Sequence, residues 1–373
     1  MTISRYQIRL ERIHHASPAR WAAVTVGSIL LALITCGVVL LISGENSLTV
    51  YRAMLDGALG DKYAFSETLV KMTPLLLTGL AVAIAFRMQL WNIGAEGQLY
   101  LGAVAASGVA LFVLPDASSW VLIPAMLIAG AIGGALWGAV PGVLRAKFNA
   151  NETITTLMLN YVAILFTQYL VHGPWRDPQA FGFPGTAPFP EAAALPHYQT
   201  YRVHLGLVFG LVAAVILLII LRRTRFGYEI DVIGDNPRAA RYAGMRTTRM
   251  IIIVLAISGA LAGIAGMSEV AGVGHSLQRS ISPGYGYTAI IVAWLARLNP
   301  LAIIAVSFLM SVILVGSDQL QTAIGLPGSV GPMLQGAILF FLLAGEFLTN
   351  FRVHIHRVAV EPESEPEAEL ARG

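Results

Sequence analysis

Charge is what this sequence has least of. Only 12 % of its 373 residues are Asp, Glu, Lys or Arg, about half of the roughly 25 % found in an average soluble domain, and the mean hydropathy is +0.70. That balance excludes a soluble enzyme. There is one cysteine, Cys36, set in an apolar block, so a disulfide framework and a Cys-based metal site are both excluded. The only lysines are Lys62, Lys71 and Lys147, and none follows a glycine. A P-loop, which needs Gly-Lys-Ser/Thr to hold phosphates, is therefore absent, and any ATP hydrolysis falls to another chain. Gly284 to Ala289 formally matches a dinucleotide fingerprint, but it opens an apolar segment in a chain without alternating strands and helices, so the match is discarded. The eight histidines show no ligand spacing, with His14, His15, His354 and His356 in basic flanks, and no metal site is expected.

What the chain does have is apolar blocks long enough to cross a bilayer. A window of about 20 residues per helix places spans near 21–42, 69–86, 93–114, 121–143, 153–171, 204–221, 250–272, 285–296, 301–315 and 332–351. With the N-terminus in the cytoplasm, 18 of the 24 Lys and Arg residues fall in inside segments and six outside, which satisfies the positive-inside rule. The expected fold is an all-α polytopic membrane protein of about ten transmembrane helices with both termini cytoplasmic. Spans 2–5 and 7–10 then run in opposite directions as two inverted-topology halves. Span 3 opens on the glycine-interrupted Asn92-Ile93-Gly94-Ala95-Glu96-Gly97, and span 8 has only about 12 apolar residues. Short or interrupted helices at matching positions of two halves point to a transport pathway. Gly130, Gly134, Gly138 and Gly142 in span 4, and Gly259, Gly263 and Gly266 in span 7, form smooth ridges for helix packing.

Residues 1–20 form a basic leader and residues 21–351 the transmembrane domain. The first apolar run exceeds the roughly 7–15 residues of a signal-peptide core and reads as a retained span. In the leader, Tyr6, Leu10 and Ile13 fall on one helical face and Arg5, Arg9 and Arg12 on another, the pattern of either an interfacial helix or a plain polar leader. The inside loop 222–249 carries Gly234, Asn236, Pro237, Arg238, Ala239, Ala240, Arg241 and Gly244: an N-cap, a proline for the first turn, helix formers and a closing glycine. This is a separately capped cytoplasmic helix, either a docking element or a solvated basic turn. The outside loop 172–203 holds six prolines and six aromatics, including Trp175, Phe181, Phe183 and Tyr198, and is either a seat or lid for a partner or a variable loop. Residues 352–373 end in Glu361 to Glu369, where five glutamates and two prolines predict a disordered acidic tail.

Several segments together resemble the permease subunits of bacterial ABC importers, in the nucleoside-uptake branch of the group that also holds ribose-type sugar permeases. They are Trp91-Asn92-Ile93-Gly94-Ala95-Glu96-Gly97-Gln98-Leu99, Asn151-Glu152-Thr153-Ile154-Thr155-Thr156-Leu157-Met158-Leu159-Asn160-Tyr161, Gly173-Pro174-Trp175-Arg176-Asp177-Pro178, and the Gly234 to Gly244 loop. The resemblance covers roughly residues 68–346; Trp91 stands where the group has phenylalanine, and the acidic tail is not a group feature. It implies a multi-pass protein of the bacterial inner membrane that pairs with a second homologous permease. It also implies a cytoplasmic ATPase with two nucleotide-binding domains that holds ATP-Mg, and an extracytoplasmic substrate-binding protein. By the same resemblance the 236–243 helix is the coupling helix. No cofactor is expected in this chain, and no nucleic-acid partner; membrane lipid surrounds it.

A nucleoside presents a flat base and ribose hydroxyls, so its path should offer aromatic faces and amide or carboxylate partners. The candidates are Glu96, Gln98, Asn160, Tyr161, Gln168, Tyr287, Trp294 and Gln335. Each has a structural alternative: polar side chains inside bundles often bond neighbouring helices, and Tyr and Trp collect at the membrane interface, the reading favoured for Tyr285. Glu269 reads as solvated or loop-bonded, and Glu152 as a structural residue at a helix start. An importer of simple sugars such as ribose is the alternative function, and a proton-coupled transporter using Glu96 or Glu269 is a third.

Overall fold

The computed structural model describes residues 4–12, 18–179, 184–198 and 201–359. A strand, β1 (Ser4–Arg12), precedes α1 (Pro18–Ile42), α2 (Ser47–Leu59) and α3 (Lys62–Arg87). Next come α4 (Ala95–Gly108), extended by a π-helical turn Val109–Val113, α5 (Ser119–Phe148) and α6 (Glu152–His172). The second part holds α7 (Gly206–Arg223), α8 (Arg225–Asp235), α9 (Pro237–Tyr242) and α10 (Thr247–Glu269), the last extended by a π-helical turn Val270–Gly274. Finally α11 (Tyr285–Leu295), α12 (Pro300–Ala323) and α13 (Val330–Asn350) lead into β2 (Phe351–Ala359). Among the described residues eight helices are long and apolar enough to span a membrane, and Tyr285–Leu295 and Val330–Gly345 are shorter apolar helices. These ten coincide with the ten expected spans.

The chain divides into two compact units, residues 1–38 with 336–373, and residues 39–335. In the first, Ser28 Oγ on α1 donates to the Phe341 carbonyl on α13 at 2.9 Å. Here too β1 and β2 pair antiparallel, with Ile8 opposite Ile355. This corrects the leader reading: Tyr6, Ile8 and Leu10 alternate with Gln7, Arg9 and Glu11, a period of two that suits an extended chain better than a helix. Ile13 lies outside the described residues. The tail is corrected as well, since its first residues form β2; Glu361 to Glu369 lie outside the described residues.

In the second unit, α10 packs against α5, α4 and α3, and α12 against α2 and α3. The two glycine ridges meet each other. A Cβ added at Gly134 would lie 2.1 Å from the Gly259 carbonyl oxygen, and one at Gly263 would lie 2.1 Å from that of Gly130. Backbones this close gain dispersion contacts that larger side chains would forbid. Two helices were not anticipated from the sequence. In α2 the Asn46 side chain caps the Leu48 and Thr49 amides, and Val50, Met54 and Ala58 at a spacing of four form the buried face. In α8 Thr224 caps Gly227, while Ile230 and Ile233 are buried. Both carry capping and periodicity signals, but they are too short and polar to register as spans.

Gly134→Ala should therefore force α5 and α10 apart. Overpacking of this kind costs about 1–3 kcal/mol, so the melting temperature of the purified protein should fall by several degrees. Gly336→Ala, where an added Cβ meets nothing within 4 Å, should leave it unchanged.

Candidate functional site

α11 is too short to cross a bilayer, its 11 residues giving about 16 Å of helix against a hydrocarbon core of about 30 Å, and α4 has 14 residues before its π-helical extension Val109–Val113. Each begins deep in the protein after a non-helical segment, and their N-termini meet. Gly286 N–H in the first turn of α11 donates to Glu96 Oε2 in the first turn of α4 at 2.7 Å. A Cβ on Gly286 would come within 2.2 Å of the Glu96 amide nitrogen, so only glycine permits the approach. Glu96 is 2 % exposed. Its carboxylate sits at the positive ends of two helices at once, which stabilises a charge that would otherwise be costly there.

Non-helical backbone at membrane depth needs partners inside the protein. Around the break before α4, Ile93 N–H donates to Thr156 Oγ1 (3.2 Å), Gly94 N–H to Asn92 Oδ1 (2.9 Å) and Gly97 N–H to Asn160 Oδ1 (2.8 Å). Asn160 Nδ2 donates to the Ile93 carbonyl at 2.9 Å and to the Tyr287 hydroxyl at 3.2 Å. Asn92 donates to Gln98 Oε1 and to Ser258 Oγ, and the Ser258 hydroxyl donates to the Ala81 carbonyl. In the break before α11, Ser282 Oγ accepts from the Gly284 and Tyr285 amides. The first motif and the 151–161 segment are thus two sides of one network.

The structure brings Glu96, Gln98, Asn160 and Tyr287 together in that network. Thr288 donates to Gln335 Oε1 at 3.0 Å. Trp294 packs with Phe86 and Trp91, ring centroids 6.1 and 6.0 Å away. Beside them a cavity of about 580 Å³ is bordered by Arg87, Asp231 and Asp235. Tyr161 stands apart, 56 % exposed on the outer face of α6, and Gln168 is half-buried two turns further along. Tyr285 is buried at 1 % exposure rather than placed in an interface belt. Glu269 is buried at the end of α10 and, among the described residues, its side chain has neither an ion pair nor a hydrogen bond, which corrects its solvated or loop-bonded reading. Glu152 pairs with Arg145 at 3.2 Å in the first turn of α6.

The capped cytoplasmic helix forms as its sequence indicates. Asn236 Oδ1 accepts from the Arg238 and Ala239 amides at 3.0 and 3.1 Å, Pro237 opens α9, and Gly244 has φ +78°. Arg238, Ala239, Arg241 and Tyr242 face outward, whereas Ala240 is fully buried. α8 anchors this helix to the membrane bundle: Asp231 accepts both Nε and Nη2 of Arg87, at the end of α3. Gly234 lies against the Arg87 carbonyl, 2.5 Å from an added Cβ.

The outer loop is fastened to the segment before α11. Phe189 N–H donates to the His275 carbonyl (2.8 Å), Thr186 and Leu277 exchange bonds at 3.0 Å, and Leu195 N–H donates to the Ala271 carbonyl (2.9 Å). Trp175 packs on Phe112, Tyr198 is exposed, and Phe181 and Phe183 lie outside the described residues. His197, His204 and His275 cluster here. Burial, and then the neighbouring His197, His275 and Arg202, push the His204 imidazole down from 6.5 to about 4. His275 is lowered by burial and the same kind of neighbours.

A family model described as the branched-chain amino acid transport system permease component matches residues 64–343. The glucose ABC transporter permease protein of Haloferax volcanii is 35 % identical over 88 % of this chain and 88 % of its own length. The guanosine ABC transporter permease protein of Bacillus subtilis is 34 % identical over 84 % and 91 %, respectively. The nucleoside ABC transporter permease protein of Lactococcus lactis subsp. cremoris is 31 % identical over 87 % and 91 %.

Replacing Asn160 by Leu leaves the Gly97 amide and the Ile93 carbonyl without their side-chain partner, at about 1–3 kcal/mol for each buried group. Thermal unfolding of the variant should shift down by several degrees, and a Tyr161→Leu control should match the parent. The His204 site predicts a pH dependence. The folded chain keeps the imidazole neutral while the unfolded chain protonates near 6.5, so stability is full above about pH 6.5 and falls toward pH 4, by up to about 3 kcal/mol. His204→Asn, which keeps an acceptor for the Gly206 amide, should flatten the melting-temperature profile over that window.

Proposed function

The chain belongs to the permease family of ABC transport systems, and on that premise we propose that it forms, with a second permease, the path for nucleosides in an ATP-driven importer. It is a multi-pass subunit of the cytoplasmic membrane and a transport component rather than an enzyme, and the ATPase of such systems is a separate chain. The observation that carries the nucleoside reading is similarity over most of the chain to two permeases named for guanosine and for nucleosides. A sugar substrate is the second reading, favoured by the equally extensive similarity to a glucose permease.

The geometry suits a transmission role. The outward face of α9 is the docking surface for a cytoplasmic ATPase holding ATP-Mg, and the Arg87–Asp231 pair links α8 to the segment that leads into α4. From there Glu96 bonds α11, whose preceding segment is tied to the outer loop. In this reading the outer loop seats an extracytoplasmic binding protein. Load applied at α9 reaches the extracytoplasmic face through packed helices and hydrogen bonds rather than through a free loop. Glu96, Gln98 and Asn160 act by holding the break before α4 in shape. The partly exposed Tyr287 and Trp294 are the candidates for direct contact with substrate, and Tyr161 faces lipid or a partner chain.

The test is uptake of labelled uridine, adenosine and ribose by cells with and without this gene, and with Ala239→Asp in the full transporter. Nucleoside uptake should require the gene. Ala239→Asp should leave the permease in the membrane while reducing uptake at least tenfold. Loss of ribose uptake alone moves the substrate to sugars, and normal uptake by Ala239→Asp removes α9 as the docking surface.

A further inference from the structure

On the extracytoplasmic side a cavity of about 270 Å³ lies between the outer ends of three helices and the segment before α11. Lys71 of α3, Glu269 of α10 and Asp318 of α12 converge on it, and Ser276, Gln278, Ser280, Ser282 and Tyr285 complete its polar lining. The three ionisable groups form no ion pair with one another; the Lys71 ammonium instead lies 5.7 Å from the centre of the Tyr285 ring. Tyr285 is 1 % exposed, and its hydroxyl has no hydrogen-bond partner among the described residues. Glu269 is 8 % exposed and likewise accepts no hydrogen bond among the described residues. Ionisable groups inside a membrane bundle are costly and normally paired. Here an unpaired carboxylate and an orphan hydroxyl line one cavity.

The donor set selects the ligand. Two carboxylates repel an anion, and the nearby ammonium opposes an inorganic cation. A zwitterion would satisfy Lys71 and one carboxylate while leaving the second uncompensated. A neutral ring bearing several hydroxyls meets all of them: carboxylates accept from hydroxyls, while the ammonium and the phenol donate to ring oxygens. The volume is below the roughly 300–1,000 Å³ usual for whole drug-sized ligands, and it suits one sugar ring rather than an entire nucleoside. Resting on the importer reading above, and naming the part of the substrate recognised, we propose that this cavity is a sugar-ring subsite on the extracytoplasmic side, with Glu269 and Asp318 accepting ring hydroxyls and Lys71 and Tyr285 donating to its oxygens.

The complete transporter is assayed for concentration-dependent uptake of uridine and 2′,3′-dideoxyuridine, with Glu269→Gln and Asp318→Asn compared to the parent at matched abundance and melting temperature. The parent should show a KM at least tenfold lower for uridine. The variants should raise the uridine KM and leave the dideoxy KM unchanged, shrinking the preference to within about threefold. Equal loss for both substrates, or an unchanged preference, overturns the subsite even when nucleoside import itself stands. A binding readout separates the two hypotheses. With Ser280→Cys in a Cys36→Ala background, D-ribose and uridine should each slow labelling by a membrane-impermeant thiol reagent at least threefold, and leucine should not. Absence of protection by D-ribose and by uridine, or protection by leucine, overturns the subsite whatever the uptake assay reports.

Discussion

The structure turns on one carboxylate placed between two helix N-termini. Helices α4 and α11 start inside the protein, and their first turns meet at Glu96 and Gly286. Two positive helix ends in contact would repel, and the Glu96 side chain places acceptor oxygens between them, one of which takes the Gly286 amide. The close approach depends on Gly286. Around this junction Asn92, Thr156, Asn160, Ser258 and Ser282 supply partners for the interrupted backbone. A bundle with two broken helices is tenable in lipid only because these side chains satisfy what the helices leave open.

The rest of the unit serves that junction. α10, α5 and α4 pack nearly backbone to backbone through facing glycines, which leaves little freedom for the elements carrying the network. Two polar cavities flank it: one beside Trp91 and Trp294 reaches the Arg87–Asp231 pair, and the other lies over Tyr285 and Ser282 beneath the outer ends of the helices. Each break is therefore attached to a device at its own face, the capped α9 on one side and the fastened outer loop on the other.

Much of this was legible in one dimension. The ten spans follow from apolar runs, their orientation from the placement of arginine, and α9 from the run of Asn236, Pro237 and Gly244. Polar residues such as Gln98 and Asn160 stood out because membrane helices seldom carry them, but their partners did not. α2 and α8 leave little trace in the sequence because their amphipathic faces are short, and the leader residues satisfy a helical period on paper while the extended chain they form follows a period of two.

The sequence by itself determined the number, order and orientation of the helices, because hydropathy, capping and charge are local properties that act on each segment independently. Only the tertiary structure decided what the breaks are for. Glu96 and Gly286 lie 190 residues apart, and Lys71, Glu269 and Asp318 come from three different helices. Such meetings arise from the packing of segments far apart in the chain, and no local pattern encodes which distant backbone amide a buried carboxylate will find.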